Sequence, residues 1–206
     1  MNSTPTSLTR RNAVTLLAAA FSLSSSLVQA ATPSAPKVKF STSEGDFVVE
    51  VYPDKAPKTV ENFLRYVKDK HYDGTIFHRV INNFMIQGGG YDASYAEKKT
   101  RAPVAHEGRE ALAKGGPKNT VGTLAMARTN DPDSATAQFF INTKNNSFLN
   151  HTSESASGWG YAVFGKVIEG SDVVDAIEKV RTGNAGGHGD VPLEAVVIER
   201  AVEIVA

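Results

Sequence analysis

Apolar and polar positions change places with a short period over most of the chain. Lys37–Glu44 and Phe47–Tyr52 are β-type runs, and Gly45-Asp46 between them predicts a hairpin. From Pro57 the period lengthens. Val60, Phe63, Leu64 and Val67 fall at i, i+3, i+4 and i+7, the stripe of an amphipathic helix. Pro57 suits its first turn, where a missing N–H costs nothing, and Glu61 and Arg65 make a favourable i,i+4 pair. Thr75–Ile81 and Phe84–Gln87 are again β-type, and Asn82-Asn83 predicts the turn between them because Asn tolerates positive φ. Further strands are expected at Val121–Ala127, Gln138–Asn142 and Tyr161–Val167. Pro192–Val205 is expected as one long strand with Val196, Ile198, Val202 and Ile204 on one face. A second helix, N-capped by Ser171, carries the stripe Val173, Ala176, Ile177, Val180.

Two stretches read as loops. Asp92–Pro117 is long and polar, which predicts a functional or mobile surface loop with a brief helical turn at Arg109–Gly116. Thr182–Val191 holds four Gly and reads as exposed loop. About eight short strands and two helices predict a mainly β fold, a closed eight-stranded antiparallel β-barrel capped by two α-helices.

Residues 1–30 stand outside this pattern. Arg10 and Arg11 precede a nine-residue apolar run, Ala13–Phe21, and Val28-Gln29-Ala30 fits a small-residue cleavage site near Ala30. That is the layout of a secretory signal peptide, too short in its apolar part to act as a stable membrane anchor. Thr9-Arg10-Arg11 matches a twin-arginine signal only loosely. Residues 31–36 are expected to be a flexible leader, with one domain over 37–206.

Without residues 1–30 the chain loses two of its 22 Lys+Arg and none of its 22 Asp+Glu, so its formal charge moves from +0 to −2. Neither a basic excess for nucleic acid nor an acidic tail remains. With no Cys, thiol catalysis and thiolate zinc sites are excluded, and an exported chain must be stable without disulfides. The five His have no ligand spacing. Gly88-Gly89-Gly90 follows a strand but opens no helix, so a dinucleotide site does not follow.

The segment Phe77–Gly90 is the candidate site. It combines Arg79, Gln87, Phe84 and Met85 without one Asp or Glu, which places a cationic donor beside an apolar surface. Strand alternation puts His78 on the face opposite Arg79.

Phe77-His78-Arg79-Val80-Ile81-x-x-Phe84-Met85-Ile86-Gln87-Gly88-Gly89 resembles the signature of cyclophilin-type peptidyl-prolyl cis-trans isomerases. Supporting similarities are Pro57–Phe63, Gly122–Thr129, Ser134–Asn142 and Trp159–Gly165, in the right order from Lys37 onward. The spelling is similar to bacterial members, and with the signal peptide it points to their periplasmic branch. The resemblance implies isomerisation of X–Pro bonds in exported or folding polypeptides, in a groove outside a packed barrel. No metal or organic cofactor is implied, and the chain is expected to act as a monomer. Arg79 would be the catalytic donor and Gln87 would help to hold it. Phe84, Met85, Phe140 and Leu149 would form the proline slot, with Gln138 near the substrate backbone. Phe148 and Tyr161 stand where the best-known eukaryotic members carry Trp and His. The lost indole N–H predicts weak cyclosporin binding. A binding module for proline segments and a small-ligand barrel with an open interior are the competing readings.

Overall fold

The structure is a computed structural model, and it describes residues 1–2 and 35–204. The signal-peptide expectation and most of the leader fall outside the described residues. Pro36 is already part of the fold, because its carbonyl accepts a hydrogen bond from Val51 N at 2.9 Å.

Strands β1 (Lys37–Thr42) and β2 (Gly45–Val51) form the first hairpin. Its turn is Ser43-Glu44, two residues earlier than the sequence predicts. Gly45, at φ +125°, already pairs with Thr42. Helix α1 (Pro57–Lys68) follows, with Pro57 in its first turn and Val60, Phe63, Tyr66 and Val67 buried. Ala56 provides no side-chain cap. Glu107, far along the chain and buried, caps the helix instead. It accepts from Lys58 N at 3.2 Å, and from Thr59 N and Thr59 Oγ1 at 2.8 Å each. A carboxylate there satisfies free N–H groups at the positive end of the helix dipole. So the long segment before α2 (Gly108–Ala113) is tied to α1, and none of residues 92–117 lines the groove described below.

Strands β3 (Thr75–Ile76), β4 (Arg79–Ile81), β5 (Met85–Gly88), β6 (Thr123–Met126), β7 (Phe139–Asn142) and β8 (Val163–Glu169) come next. Helix α3 (Ser171–Glu178), β9 (Thr182–Ala185), β10 (His188–Pro192) and β11 (Val197–Ile204) complete the chain. Asn83 has φ +57° in the predicted Asn-Asn turn. Gly170, at φ +72°, is the N-cap of α3, one residue before the expected Ser171. The buried face of α3 is Val174 and Ile177, while Ala176 is exposed.

The main sheet has nine antiparallel strands in the order β3-β11-β1-β2-β8-β6-β7-β5-β4, not eight. It curls so that its edges, β3 and β4, are joined by only Phe77 and His78. No ladder joins those two edges among the described residues, so the sheet is a curled half-barrel rather than the closed barrel expected. The last predicted strand starts later than expected, at Val197, and Pro192 instead closes β10. Within β11 the register shifts opposite Ser41/Thr42. The extra residue changes the alternation, so Ile198 and Ala201 are buried and Val202 and Ile204 are only partly covered.

The inside of the curl is filled. Phe139 lies 5.5 Å from Phe40, 6.0 Å from Phe63, 5.5 Å from Tyr72 and 6.2 Å from Phe77, ring centre to ring centre. All five rings are fully buried. This aromatic core leaves no open interior for a small ligand. Gly89 passes directly under it with φ +87°, where a Cβ would fall 2.8 Å from the Tyr72 ring.

Candidate active site

Sheet register builds the site on the outer face. Arg79 on β4 is paired with Gln87 on β5, Gln87 with Phe140 on β7, Phe140 with Ala125 on β6, and Ala125 with Val163 on β8. Directly paired residues point to the same face, so five side chains stand in one row across five strands. The adjacent row, Val80, Ile86, Ile141 and Leu124, points inward and is buried. Met85, Ala125, Phe140 and Val163 form a separate apolar cluster with Ile81, Phe84, Ala127, Leu149 and Tyr161 against it.

A groove of about 530 Å³ opens over this row. Eight of the nine residues named from sequence line it: Arg79, Phe84, Met85, Gln87, Gln138, Phe140, Leu149 and Tyr161. Phe140 meets Tyr161 edge to face at 5.3 Å. Phe148, the ninth, is 70% exposed and stacks on Phe84 at 5.8 Å, so it forms the rim and lines a neighbouring cavity. Gln87 does not hold Arg79 as expected. It sits opposite Arg79 on the ladder, but its Nε2 donates to Gln138 Oε1 at 3.1 Å. Gly90 allows this, since a Cβ there would come within 2.5 Å of the Gln138 side chain.

Three groups of residues escaped the sequence reading. Thr182–Val191 is a hairpin with Gly186-Gly187 at its tip, and Gly187–Asp190 forms one wall of the groove. A register shift between His188 and Val191 and a φ of +58° at Asp190 accompany a carboxylate 3.9 Å from Arg79 Nε. The local sequence around Arg79 has no acid, yet the fold supplies one from more than a hundred residues away. A Gly-Gly pair between extended runs is a hairpin signal, but nothing in it announces Arg79 as the neighbour.

The second group is a buried amide network. Asn142 Nδ2 donates to Asn119 Oδ1 at 3.2 Å and Thr123 Oγ1 at 3.0 Å. Asn146 Nδ2 donates to Asn142 Oδ1 and to Phe84 O, both at 2.8 Å. Asn119 Nδ2 donates to Leu149 O at 3.1 Å and Tyr161 O at 3.4 Å. Three asparagines thus hold the backbones of Phe84, Leu149 and Tyr161, three walls of the slot. Groups buried this way are costly to leave unpaired, which makes the slot a fixed shape.

His78 is the third. It lies in the link before β4, so strand alternation does not apply, and it lines the groove with Arg79. Its ring is 4.7 Å from Tyr91 and 5.8 Å from His188. Burial, then the nearby His188 and Arg79, push its pKa down to about 4. His71 and His106 are also lowered, mainly by burial. An unfolded chain binds protons on these groups from about pH 6.5 downward, whereas folded His78 resists to about 4. Stability is therefore full above pH 6.5 and falls as pH drops from 6.5 to 4. His78 alone is expected to remove about 3 kcal/mol at the acid end. Melting temperatures of wild type and His78→Phe at pH 7.5 and 4.5 check this. The acid-induced drop should be clearly smaller in the variant, and an equal drop would remove His78 from the account.

A curled antiparallel sheet therefore carries a cationic donor and an apolar slot side by side on its outer face. Comparison with known proteins identifies the family. Residues 37–203 match the family described as cyclophilin type peptidyl-prolyl cis-trans isomerase/CLD. A peptidyl-prolyl cis-trans isomerase of Streptomyces antibioticus is 60% identical over 164 residues, 80% of this chain and 96% of that one. Peptidyl-prolyl cis-trans isomerase B of Escherichia coli is 56% identical over 162 residues, 79% of this chain and 96% of that one. Among solved structures, a Cryptosporidium parvum cyclophilin type isomerase superposes with a TM-score of 0.65 at 25% identity, covering 84% of this chain and 99% of its own. A second structure of that isomerase, with a TM-score of 0.64, was solved in the presence of the dipeptide Ala-Pro. The chain belongs to the cyclophilin-type peptidyl-prolyl cis-trans isomerase family, and its activity is cis-trans isomerisation of X–Pro bonds.

Proposed function

We propose that the proline ring occupies the slot formed by Phe84, Met85, Phe140 and Leu149, and that Arg79 donates to the prolyl nitrogen of the twisted amide. The observation that carries this reading is the register row, which sets Arg79 two strands from Phe140 on one face. Amide resonance opposes rotation with a barrier of roughly 18–20 kcal/mol. Twisting breaks the resonance and returns a lone pair to nitrogen, which then accepts a hydrogen bond that neither planar isomer accepts. A donor aimed there stabilises the transition state selectively. Arg79 keeps N–H groups beyond the Nε that faces Asp190. The Gln87–Gln138 amide pair offers partners to the substrate backbone, and Tyr161 and Phe148 shape the rim. The experiment is isomer exchange of an X–Pro peptide with wild type and Arg79→Ala; its expected outcome is argued in the Discussion.

We further propose that residues 1–30 direct export to the periplasm and are cleaved near Ala30, and that the mature chain works as a monomer on exposed proline segments of polypeptides. The charged start, the nine-residue apolar run and the small-residue site support export. Fractionation and N-terminal sequencing of the full chain should place it in the periplasm with a new terminus at Ala31. Uncleaved protein confined to the cytoplasm would overturn the assignment.

A further inference from the structure

Beside the groove lies a second cavity of about 470 Å³. Arg128, Leu149 and Tyr161 line both, so the two share a wall. On its far side the second cavity is bounded by Phe148, Thr129 and Ser157. The Arg128 guanidinium lies 4.8 Å over the Tyr161 ring. Its Nε donates to Gly160 O at 3.0 Å and its Nη1 to Thr129 O at 2.7 Å. Both acceptors are neutral carbonyls. Among the described residues no carboxylate forms a salt bridge with Arg128. Asp190 is, among the described residues, the only carboxylate lining either cavity, and it faces Arg79. Among the described residues Arg128 is therefore a pinned cation without a salt-bridge partner, stacked on the Tyr161 ring in a cavity that Phe148 also lines, beside the main groove.

We propose that this cavity is a subsite for the residue neighbouring the proline, and that Arg128 makes it select an acidic side chain. The inference rests on proline occupying the main groove. A glutamate offers a short apolar stem for the aromatic walls and a carboxylate for the guanidinium, whose fork geometry matches it. A lysine there would bring two cations together with nothing between them. Because Arg128 also ties Gly160 to Thr129, its loss would disturb the loop as well. A test must cancel that damage.

A ratio within each protein does so. The peptides Ala-Xaa-Pro-Phe and Ala-Ala-Pro-Xaa, with Xaa as Glu, Ala or Lys, separate the position before proline from the one after it. Wild type should show a Glu-to-Lys ratio in kcat/KM on the order of fivefold at one of the two positions, given the strength of exposed ion pairs. That ratio should approach one in Arg128→Gln, fall below one in Arg128→Glu, and shrink in wild type as salt is raised. A ratio near one at both positions in wild type, or a ratio unchanged in Arg128→Gln, would overturn the proposal. If the variants fail to fold, a wild-type preference that ignores salt overturns it equally. The alanine peptides report the isomerase reaction itself, and no turnover of any peptide would count against proline in the groove and remove the subsite with it.

Discussion

Arg79→Ala is expected to lower kcat/KM on a proline peptide by about 10²–10³-fold, the range measured when one preorganised transition-state donor is removed. The fall should appear in kcat, with KM changed little, because the hydrogen bond to nitrogen exists only in the twisted amide. Arg79→Lys should recover little, since a point charge replaces a rigid fork. Fold stability should be nearly unaffected. The side chain is 43% exposed and its one salt bridge, to Asp190, is on the surface, where such pairs are worth about 0–1 kcal/mol. NMR exchange or a coupled assay gives the rates, and a thermal melt gives the stability. Equal kcat in wild type and Arg79→Ala would end the case for Arg79 as donor and favour a module that only binds proline segments.

The second large effect separates two neighbours. Phe139→Ala is expected to destabilise the protein by about 3–5 kcal/mol, the usual cost of truncating a core aromatic. Its ring touches Phe40, Phe63, Tyr72 and Phe77 at the centre of the curl, and those rings cannot close the space without moving β1, α1 and the two connections that carry Tyr72 and Phe77. Phe140→Ala removes a ring that is 4% exposed on the other face of the same strand. It should reduce binding of proline peptides strongly while costing less stability, because its surroundings open into the groove. Urea unfolding and kcat/KM per folded molecule distinguish the two. If Phe139→Ala lost activity per folded molecule as severely as Phe140→Ala, the division between core face and groove face would be wrong.

Much of this was legible in the sequence because β-sheet side chains follow a period of two. The pairs Met85/Ile86 and Phe139/Phe140 carry the split between groove and core in adjacent residues. The signature around Arg79 named four of the eight lining residues, Arg79, Phe84, Met85 and Gln87, and the similarity of later segments to the family named Gln138, Phe140, Leu149 and Tyr161. What was missed came from long-range placement. Asp190 reaches Arg79 only because a Gly-Gly hairpin folds back and its bulge changes the register. The Asn119, Asn142 and Asn146 network has no spacing rule, since most of its bonds join residues distant in sequence, such as Asn146 to Phe84 O and Asn119 to Leu149 O. Glu107 capping α1 is of the same kind: Ala56 at the N-cap has no side-chain acceptor, and the cap comes from far along the chain. The ninth strand and the unjoined edge escaped because Thr75–Ile81 reads as one β-type run, and nothing in it marks the break at Phe77-His78 that splits it into β3 and β4.

The register row has a mechanical side. Arg79 rides on β4, an edge strand three residues long and laddered only to β5. Phe140 rides on β7, laddered on both sides by β5 and β6. Local opening is easiest where backbone hydrogen bonding is one-sided, so the two ends of the row differ in compliance. The seat for the ring is stiff, and the strand carrying the cation yields. With the proline ring held in the slot as proposed, the acyl group turns about the C–N bond while the ring nitrogen pyramidalises and its lone pair forms. A compliant donor beside a rigid seat can close on that lone pair without loosening the grip on the ring.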